Sequence, residues 1–328
     1  MDNSKAANFA GAFLSGSTIW LPDDAELSPA SDVDLMVVTT DTDPPPKLGK
    51  FRWRGVLIEV TYLSWGQLPS AEVILGSHHL AGGFRKNTVV ADPAGRLTRL
   101  QAVTAVEYAR RPWVRRRCRS AEQKVVDGLG ALDPSAASHD RVTALIFPAG
   151  VTTHVLLTAG LRNPTVRLRY PAARELLADY GHLEHYEELL RLLGCADITP
   201  SRAEHHLRAM TEAFDATVPL ARTPFPFASD ITVTARPVAV DGGRDLIAKG
   251  LHRESIFWIA ATYARCLKIL ATAPFAAGPG DRRHRPGSTV LLQRTHRPVT
   301  GRPPDAADGD ARTRRRGERR WRRPTFTR

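Results

Sequence analysis

The chain has 328 residues, 42% of them hydrophobic, and a formal net charge of +12. This length accommodates two domains with substantial cores. The sequence lacks the run of roughly 18 apolar residues that suggests a membrane span, and it lacks the basic and then apolar start of a secretory signal. Its three cysteines are far apart, which argues against a disulfide framework and for a reducing compartment. We therefore expect a cytoplasmic protein with no membrane partner.

Most of the positive charge lies in the C-terminal segment. Residues 274–328 contain fifteen arginines and five acids, so the rest of the chain has a net charge of only +2. The segment mixes Gly, Pro and Arg without periodicity, and we expect it to be disordered. It is either an arginine-rich arm that contacts nucleic acid or sequence without a selected function. Nucleic acid is expected as a partner only through this tail.

The apolar patterns, taken in chain order, predict a mixed α and β segment followed by helices. Strands are predicted over residues 7–15, 32–39, 51–65 and 87–92, with helices over 18–21 and 67–75. Further helices are predicted over residues 96–110, 114–132, 142–157, 171–179, 183–193, 200–217 and 244–271, the last as the central member of a bundle. The predicted fold class is α+β: a small mixed-sheet domain (1–95), an all-helical bundle domain (96–273) and a disordered basic tail (274–328).

Two aspartates stand at the head of the second predicted strand. Because side chains alternate along a strand, Asp32 and Asp34 should project from the same face, where their charges repel unless a cation such as Mg²⁺ lies between them. Gly16 and Ser17 precede them, and a glycine turn with a hydroxyl suits a triphosphate. Glu59 is the lone acid of the next predicted strand, which should lie nearby. These residues indicate a metal site for phosphoryl or nucleotidyl transfer, although Asp-x-Asp is also common in solvated turns.

The order Gly-Ser, a gap, Ser-Asp-Val-Asp-Leu and a strand-borne glutamate resembles the nucleotidyltransferase domain of the polymerase-beta superfamily. Within that superfamily, Leu-Ile-Glu-Val-Thr at 57–61 looks most like the aminoglycoside nucleotidyltransferases. The resemblance covers residues 1–65 and implies that Asp32 and Asp34 hold Mg²⁺ and that Gly16 and Ser17 bind the triphosphate. It also implies that Glu59 is either the general base or a third metal ligand.

The sequence departs from the family pattern between residues 18 and 31, where the connection is longer. We expect a loop at the mouth of the site. An acceptor rich in positive charge, such as an aminoglycoside, would need an acidic cleft, and Asp23, Asp24 and Glu26 on this loop could supply it.

The predicted function is Mg²⁺-dependent transfer of a nucleoside monophosphate from a nucleoside triphosphate, with ATP as the first choice. The acceptor is expected to be a hydroxyl of a small molecule, for which an aminoglycoside is one candidate. Two alternatives stay open: a non-catalytic nucleotidyltransferase-like antitoxin or regulatory partner, and a transferase that acts on RNA. Arg162, Arg167 and Arg169 either contact phosphates in the cleft or form a solvated basic face. His154 is interpreted as a core residue, and the paired histidine His78 as a surface or capping residue.

Overall fold

One mixed sheet organises the first part of the chain. A computed structural model describes residues 8–22, 24–221 and 227–273. The strands are β1 (Phe9–Ser15), β2 (Val33–Thr39), β3 (Gly49–Trp53), β4 (Val56–Ser64) and β5 (Val89–Ala91). Their order is β3-β4-β2-β1-β5; β2 and β4 are parallel, and the other neighbouring pairs are antiparallel. The α+β class and the mixed sheet are therefore confirmed.

The prediction of a single strand over residues 51–65 is wrong, because β3 and β4 form a hairpin. Arg54 and Gly55 separate the two strands, and both have a positive φ, of 49° and 83°. Positive φ at both central residues is the geometry of the two-residue turns that match the twist of a hairpin. An arginine in this conformation is uncommon, so the sequence pattern suggested one continuous strand.

One face of the sheet carries the main core of this part of the chain. Phe13, Val38 and Leu63 project from that face and pack with Ile74 and Leu97. These last two residues belong to the helices α1 (Ala71–Gly76) and α2 (Arg96–Glu107). The alternation that brings Val38 and Leu63 to this face also brings the carboxylates of β2 and β4 to it.

Helices make up the rest of the described chain. They are α3 (Arg111–Gly130), α4 (Ser138–Ala159), α5 (Arg169–Asp179), α6 (Tyr186–Leu193), α7 (Pro200–Thr217), α8 (Gly242–Ala248) and α9 (His252–Thr272). The α9 helix contacts α4, α6, α7 and α8, so its predicted central position is confirmed. The prediction of one helix over 244–271 is wrong, because the chain breaks between α8 and α9 at Gly250, whose φ is +76°.

The start of α7 follows from its sequence. Thr199 precedes the helix and its hydroxyl accepts a hydrogen bond from the backbone N–H of Arg202, at 3.3 Å. Pro200 occupies the first turn, where its missing N–H leaves no bond unmade. This end of the helix is as predicted.

The α4 helix is long and apolar enough to cross a membrane by length and composition alone. Half of its most apolar window is buried inside the protein, and a core helix passes the same test. It contacts α3, α5 and α9 and contains Pro148 and the buried His154. The cytoplasmic location stays a prediction, as do the domain boundaries at 95 and 273. The predicted tail lies outside the described residues.

Candidate functional site: an acidic cluster beside a glycine turn

Four neighbouring strands bring their polar residues into one row across the sheet. Asp34 of β2 is the register partner of Ser15 in β1 on one side and of Glu59 in β4 on the other. Glu59 is in turn the register partner of Lys50 in β3. The row therefore runs from the end of β1, where Gly16 follows, to the edge strand of the sheet.

Three carboxylates meet in this row. Asp32, Asp34 and Glu59 each place one carboxylate oxygen within 4.8 Å of the others. The expectation that Glu59 reaches the aspartate pair is thus confirmed. Burial, together with the charges of Asp32 and Glu59, raises the pKa of Asp34 to about 7. The cluster is therefore short of positive charge at its centre.

The turn after β1 lies directly against this cluster. Gly16 has a φ of +72°, and a Cβ at this position would overlap the carboxylate of Asp34. Ser17 follows as the residue before a short 3₁₀ helix, Thr18–Trp20. Gly16 and Ser17 both line the cavity that contains the three carboxylates. All five residues predicted for the site therefore lie around one cavity.

Two lysines that the sequence argument missed neutralise part of the cluster. Lys50 Nζ lies 2.5 Å from Asp32 Oδ2 and also contacts Glu59. Lys47 Nζ lies 2.6 Å from the second oxygen of Glu59. Burial alone would raise the pKa of Glu59, but Lys50 and Lys47 outweigh it and hold this pKa below its usual value. The ammonium group of Lys50 bridges Asp32 and Glu59. The carboxylate oxygens of the cluster are hard donors of the type that Mg²⁺ prefers.

A buried ion pair from the helices closes the opposite wall. Arg265 of α9 donates to Asp230 at 3.1 Å, and both side chains are largely buried. The guanidinium carbon of Arg265 lies 4.9 Å from the ring centre of Phe227 and near two further aromatic rings, those of Phe147 and Trp258. Asp230 Oδ1 in turn lies 3.8 Å from Lys50 Nζ. No local sequence signal marks Asp230 or Arg265, because their partners are distant along the chain.

The cavity between these walls measures about 320 Å³ and has more cationic than acidic residues in its lining. The acids are Asp32, Asp34, Glu59 and Asp230; the cations are Lys47, Lys50, Arg167, Arg169 and Arg265. Asp24 and Glu26 of the preceding loop are exposed, and that loop contributes only Ala30 and Ser31 to the lining. Asp23 lies outside the described residues. The loop acids that the structure describes therefore do not line this cavity.

Of Arg162, Arg167 and Arg169, one lies on a solvated face and two lie in the wall of the cavity. Arg162 pairs with Asp179 at the surface, at 2.8 Å. Arg167 and Arg169 instead line the cavity, and each has a buried Nη1 with no hydrogen-bond partner among the described residues. The side chain of Arg167 occupies the space that a Cβ on Gly242 would need. Two arginines that have no ion pair within 4 Å among the described residues therefore line the cavity that contains the carboxylates.

A second, less charged cavity of about 710 Å³ adjoins the first at Gly16. In its wall, His154 Nε2 lies 2.9 Å from the carbonyl oxygen of Thr165, and His78 Nδ1 lies 3.0 Å from Ser120 Oγ. Burial lowers the pKa of His154 to about 3 and that of His78 to about 4, so both rings are neutral at pH 7. The interpretation of His154 as a satisfied core residue is confirmed, whereas His78 is half-buried in a cavity wall rather than on the surface.

A second group of potential metal ligands lines neither cavity. It consists of His182, Glu184 and His185, all exposed. Exposed groups of this kind are common without a metal, so this group adds nothing to the site.

Comparison with known proteins neither supports nor contradicts the resemblance to the nucleotidyltransferases. Neither a protein-family model nor a curated protein matches this chain significantly.

Proposed function

We propose that this chain is a Mg²⁺-dependent nucleotidyltransferase of the polymerase-beta type. It transfers a nucleoside monophosphate from a nucleoside triphosphate, with ATP as the first candidate, to a hydroxyl of a small-molecule acceptor. The observation that carries the proposal is the convergence of Asp32, Asp34 and Glu59 to within 4.8 Å of one another, directly beside the Gly16 turn. A solvated Asp-x-Asp turn would not need a third acid from a neighbouring strand.

The carboxylates supply a suitable donor set for the metal. Asp32 and Asp34 would hold Mg²⁺, and this ion would neutralise charge on the phosphates. Lys50 now contacts two of the three carboxylates, and we propose that it moves its ammonium group onto a phosphate oxygen when the metal binds. The divalent ion would bring one more positive charge to the carboxylates than the ammonium group that it replaces.

The remaining cations suit the triphosphate. Gly16 and Ser17 present backbone N–H groups and a hydroxyl to the β- and γ-phosphates, where a Cβ would be an obstacle. Arg167 faces the same cavity without an ion-pair partner within 4 Å among the described residues, and its guanidinium suits the leaving pyrophosphate. In the reaction, the acceptor oxygen forms a bond to the α-phosphorus while the bond to the bridging oxygen of pyrophosphate breaks. Glu59 either accepts the proton of the acceptor hydroxyl or completes the ligand set of the metal.

The acceptor occupies the side of the cavity near Glu59 and Asp230. Aromatic rings and cations surround this side, and the described part of the loop before β2 contributes no acid to it. This side of the cavity is therefore poorly suited to bind a polycationic acceptor. An aminoglycoside is therefore one member of a test panel rather than the favoured substrate.

The test combines turnover with metal binding. The chain is incubated with labelled ATP and Mg²⁺ against a panel of aminoglycosides, other small hydroxyl compounds and short RNAs, and Mg²⁺ binding is followed separately by calorimetry. Asp32→Asn and Asp34→Asn should abolish both transfer and Mg²⁺ binding. Without metal, Asp34→Asn should keep or raise the melting temperature because it removes a charge that Asp32 and Glu59 repel, whereas Asp32→Asn also breaks the pair with Lys50 and should not raise it. Asp197→Asn, at an exposed position, is the matched control and should change neither transfer nor Mg²⁺ binding. Retained turnover in either cluster variant would remove the proposed site.

A further inference from the structure

Asp230, in the wall opposite the carboxylate cluster, uses only one of its two carboxylate oxygens. Its Oδ2 accepts a hydrogen bond from Arg265 at 3.1 Å. Its Oδ1 is buried and has no hydrogen-bond partner among the described residues. The Nζ atoms of Lys50 and Lys47 lie 3.8 and 3.9 Å from Oδ1, which is beyond hydrogen-bond distance. An unpaired buried acceptor costs about 1–3 kcal/mol, so this oxygen needs a reason beyond the ion pair.

Two more exposed arginine–carboxylate pairs of this chain are made differently. Arg236 donates to both oxygens of Asp215, at 2.8 and 2.9 Å. Arg253 likewise donates to both oxygens of Glu187, at 2.9 and 3.0 Å. Such pairs with two parallel bonds satisfy both oxygens of the carboxylate. The arginine that binds Asp230 engages one oxygen alone and leaves the other on the side of the cavity.

Two features of the backbone fix the turn that carries Asp230. Phe227, three residues earlier, has a φ of +70°, a left-handed conformation that a bulky side chain rarely adopts. Ser229 packs against Gly49, where a Cβ would come within 2.9 Å of the Ser229 Cβ. Gly49 directly precedes Lys50, so the turn lies against the edge strand β3, beside the carboxylate cluster. Backbone conformations of this uncommon kind are concentrated at functional sites.

Glu59, the other candidate for accepting a proton, has both oxygens engaged. Lys50 contacts Oε1, and Lys47 lies 2.6 Å from Oε2. Burial alone would raise the pKa of Glu59, but these ammonium groups hold it below its usual value, which makes Glu59 a weak proton acceptor. Burial acts on Asp230 as well, and there it outweighs Arg265 and the two lysines, so the pKa is raised. Asp230 is therefore the stronger proton acceptor of the two.

We propose that Asp230 is the general base of the transfer and that its Oδ1 accepts the proton of the acceptor hydroxyl. This inference rests on the proposed function. The ammonium group of Lys50 marks the place of that hydroxyl, because it lies 2.5 Å from Asp32 Oδ2 and 3.8 Å from Asp230 Oδ1. Once this ammonium group has moved onto a phosphate oxygen, a hydroxyl in its place needs to approach Asp230 by only about 1 Å to form a hydrogen bond.

The proton and the electron pairs are then accounted for. As the acceptor oxygen bonds to the α-phosphorus, its proton passes to Asp230 Oδ1, and the bond from phosphorus to the bridging oxygen breaks with its electron pair leaving on pyrophosphate. Asp230 releases the proton to water after the products leave. Arg265 holds Oδ2 and directs Oδ1 at the acceptor, so it is a positioning residue. Glu59, whose Oε1 becomes free when Lys50 moves, completes the ligand set of the metal.

The test separates turnover from nucleotide binding. Turnover of ATP is measured with each acceptor of the panel and with water, which yields AMP and pyrophosphate. Asp230→Asn should lower kcat by about two to four orders of magnitude, while the Kd of ATP in the presence of Mg²⁺, measured by calorimetry, should stay unchanged. Because this variant leaves Arg265 buried and unpaired, Asp230→Asn/Arg265→Met, which removes both charges, is measured as well and should lose as much. Asp215→Asn, which breaks an aspartate–arginine pair outside the cavity, is the matched control and should change neither kcat nor Kd.

The pH dependence of kcat distinguishes a base from a structural anchor. The charged groups that face Asp230 are Arg265, Lys47, Lys50 and Glu59. Arg265→Met keeps the carboxylate but removes a cation that lowers its pKa, so this pKa should rise further. A base must be ionised, so the acidic limb of the kcat profile should move to higher pH, and turnover should recover at alkaline pH. In Asp230→Asn this limb should be lost.

The outcomes that overturn the inference differ from those that overturn the proposed function. Unchanged turnover in Asp230→Asn/Arg265→Met would overturn the inference alone. A loss in Arg265→Met as large as that in Asp230→Asn and independent of pH would do the same, because the pair would then only anchor the turn to α9. A loss that appears in the Kd of ATP rather than in kcat would assign Asp230 to nucleotide binding. Absence of transfer by the wild type to every acceptor, water included, would overturn the proposed function and this inference together.

Discussion

Replacing Gly16 by alanine tests the close contact between the turn and the acidic cluster. Two separate penalties act at this position. The backbone has a φ of +72°, which side-chain-bearing residues rarely adopt, and the added methyl group would overlap the carboxylate of Asp34. Gly181 offers a matched control, because its φ is +71° and a Cβ there meets nothing within 4 Å.

The two penalties have different sizes. The left-handed conformation costs about 1–2 kcal/mol in either glycine. Displacing the Asp34 side chain from its rotamer adds about 0.5–1.5 kcal/mol at Gly16 alone. Gly16→Ala should therefore lower the free energy of unfolding by about 1 kcal/mol more than Gly181→Ala does.

Urea unfolding of both variants, each with and without Asp34→Ala, measures this difference. Most of the excess cost of Gly16→Ala should vanish when Asp34 is alanine, because the overlapping carboxylate is gone. Equal costs for Gly16→Ala and Gly181→Ala would refute the contact. So would an excess that persists without the Asp34 carboxylate.

Three further predictions concern single side chains. Glu59→Gln should lower turnover by about two to four orders of magnitude at every Mg²⁺ concentration if Glu59 is the general base; recovery at high Mg²⁺ or with Mn²⁺ would make it a metal ligand instead. His154 has a folded pKa of about 3 against an ordinary value of 6.5, so the unfolded chain alone takes up its proton in this range and stability falls as the pH drops below 6.5. The contribution of His154 to this loss should reach about 2 kcal/mol at pH 5. In urea titrations at pH 7 and pH 5, His154→Gln should reduce the total loss by that amount and leave the contributions of His78 and His206, whose pKa values are lowered to about 4. The same acid sensitivity in the variant would contradict the assignment. Arg265→Met removes the nearest cation from the buried Asp230, which keeps only Lys50 at 3.8 Å and Lys47 at 3.9 Å. It should cost up to roughly 3–5 kcal/mol in urea unfolding, whereas Lys268→Met on the same helix, which breaks a more exposed pair, should cost no more than about 1 kcal/mol. Equal costs for these two would contradict the role of the buried pair.

The parts of the fold that depend on local patterns were accessible from the sequence. Alternation identified β1 and β2, and the pattern of apolar residues identified α7 and α9. The turn at Arg54 and Gly55 was missed because an arginine with positive φ is rare. A hairpin turn placed at Arg54 and Gly55 would also have predicted the pairing of Lys50 with Glu59, since the two residues stand symmetrically about the turn.

The residues of the candidate site also fall into those that carry a local sequence signal and those that do not. Gly16, Ser17, Asp32, Asp34 and Glu59 were accessible because each carries a local signal, and the structure places them around one cavity. Residues that reach the site through tertiary packing carry no such signal. The inward orientation of Asp230, Arg265 and Arg167 depends on how the helices pack against the sheet.

The parallel pairing of β2 with β4 determines where this chain tolerates changes in length. A residue inserted in β4 ahead of Glu59 would turn its carboxylate to the opposite face of the sheet, because side chains alternate with a period of two. The connection between β2 and β3 lies outside the paired register. Insertions, deletions or an attached label between Thr40 and Pro46, ahead of the Lys47 that contacts Glu59, should leave the row from Lys50 to Ser15 intact. Variants of different length are therefore expected to differ there, and chimaeras of this protein are best joined at the same place.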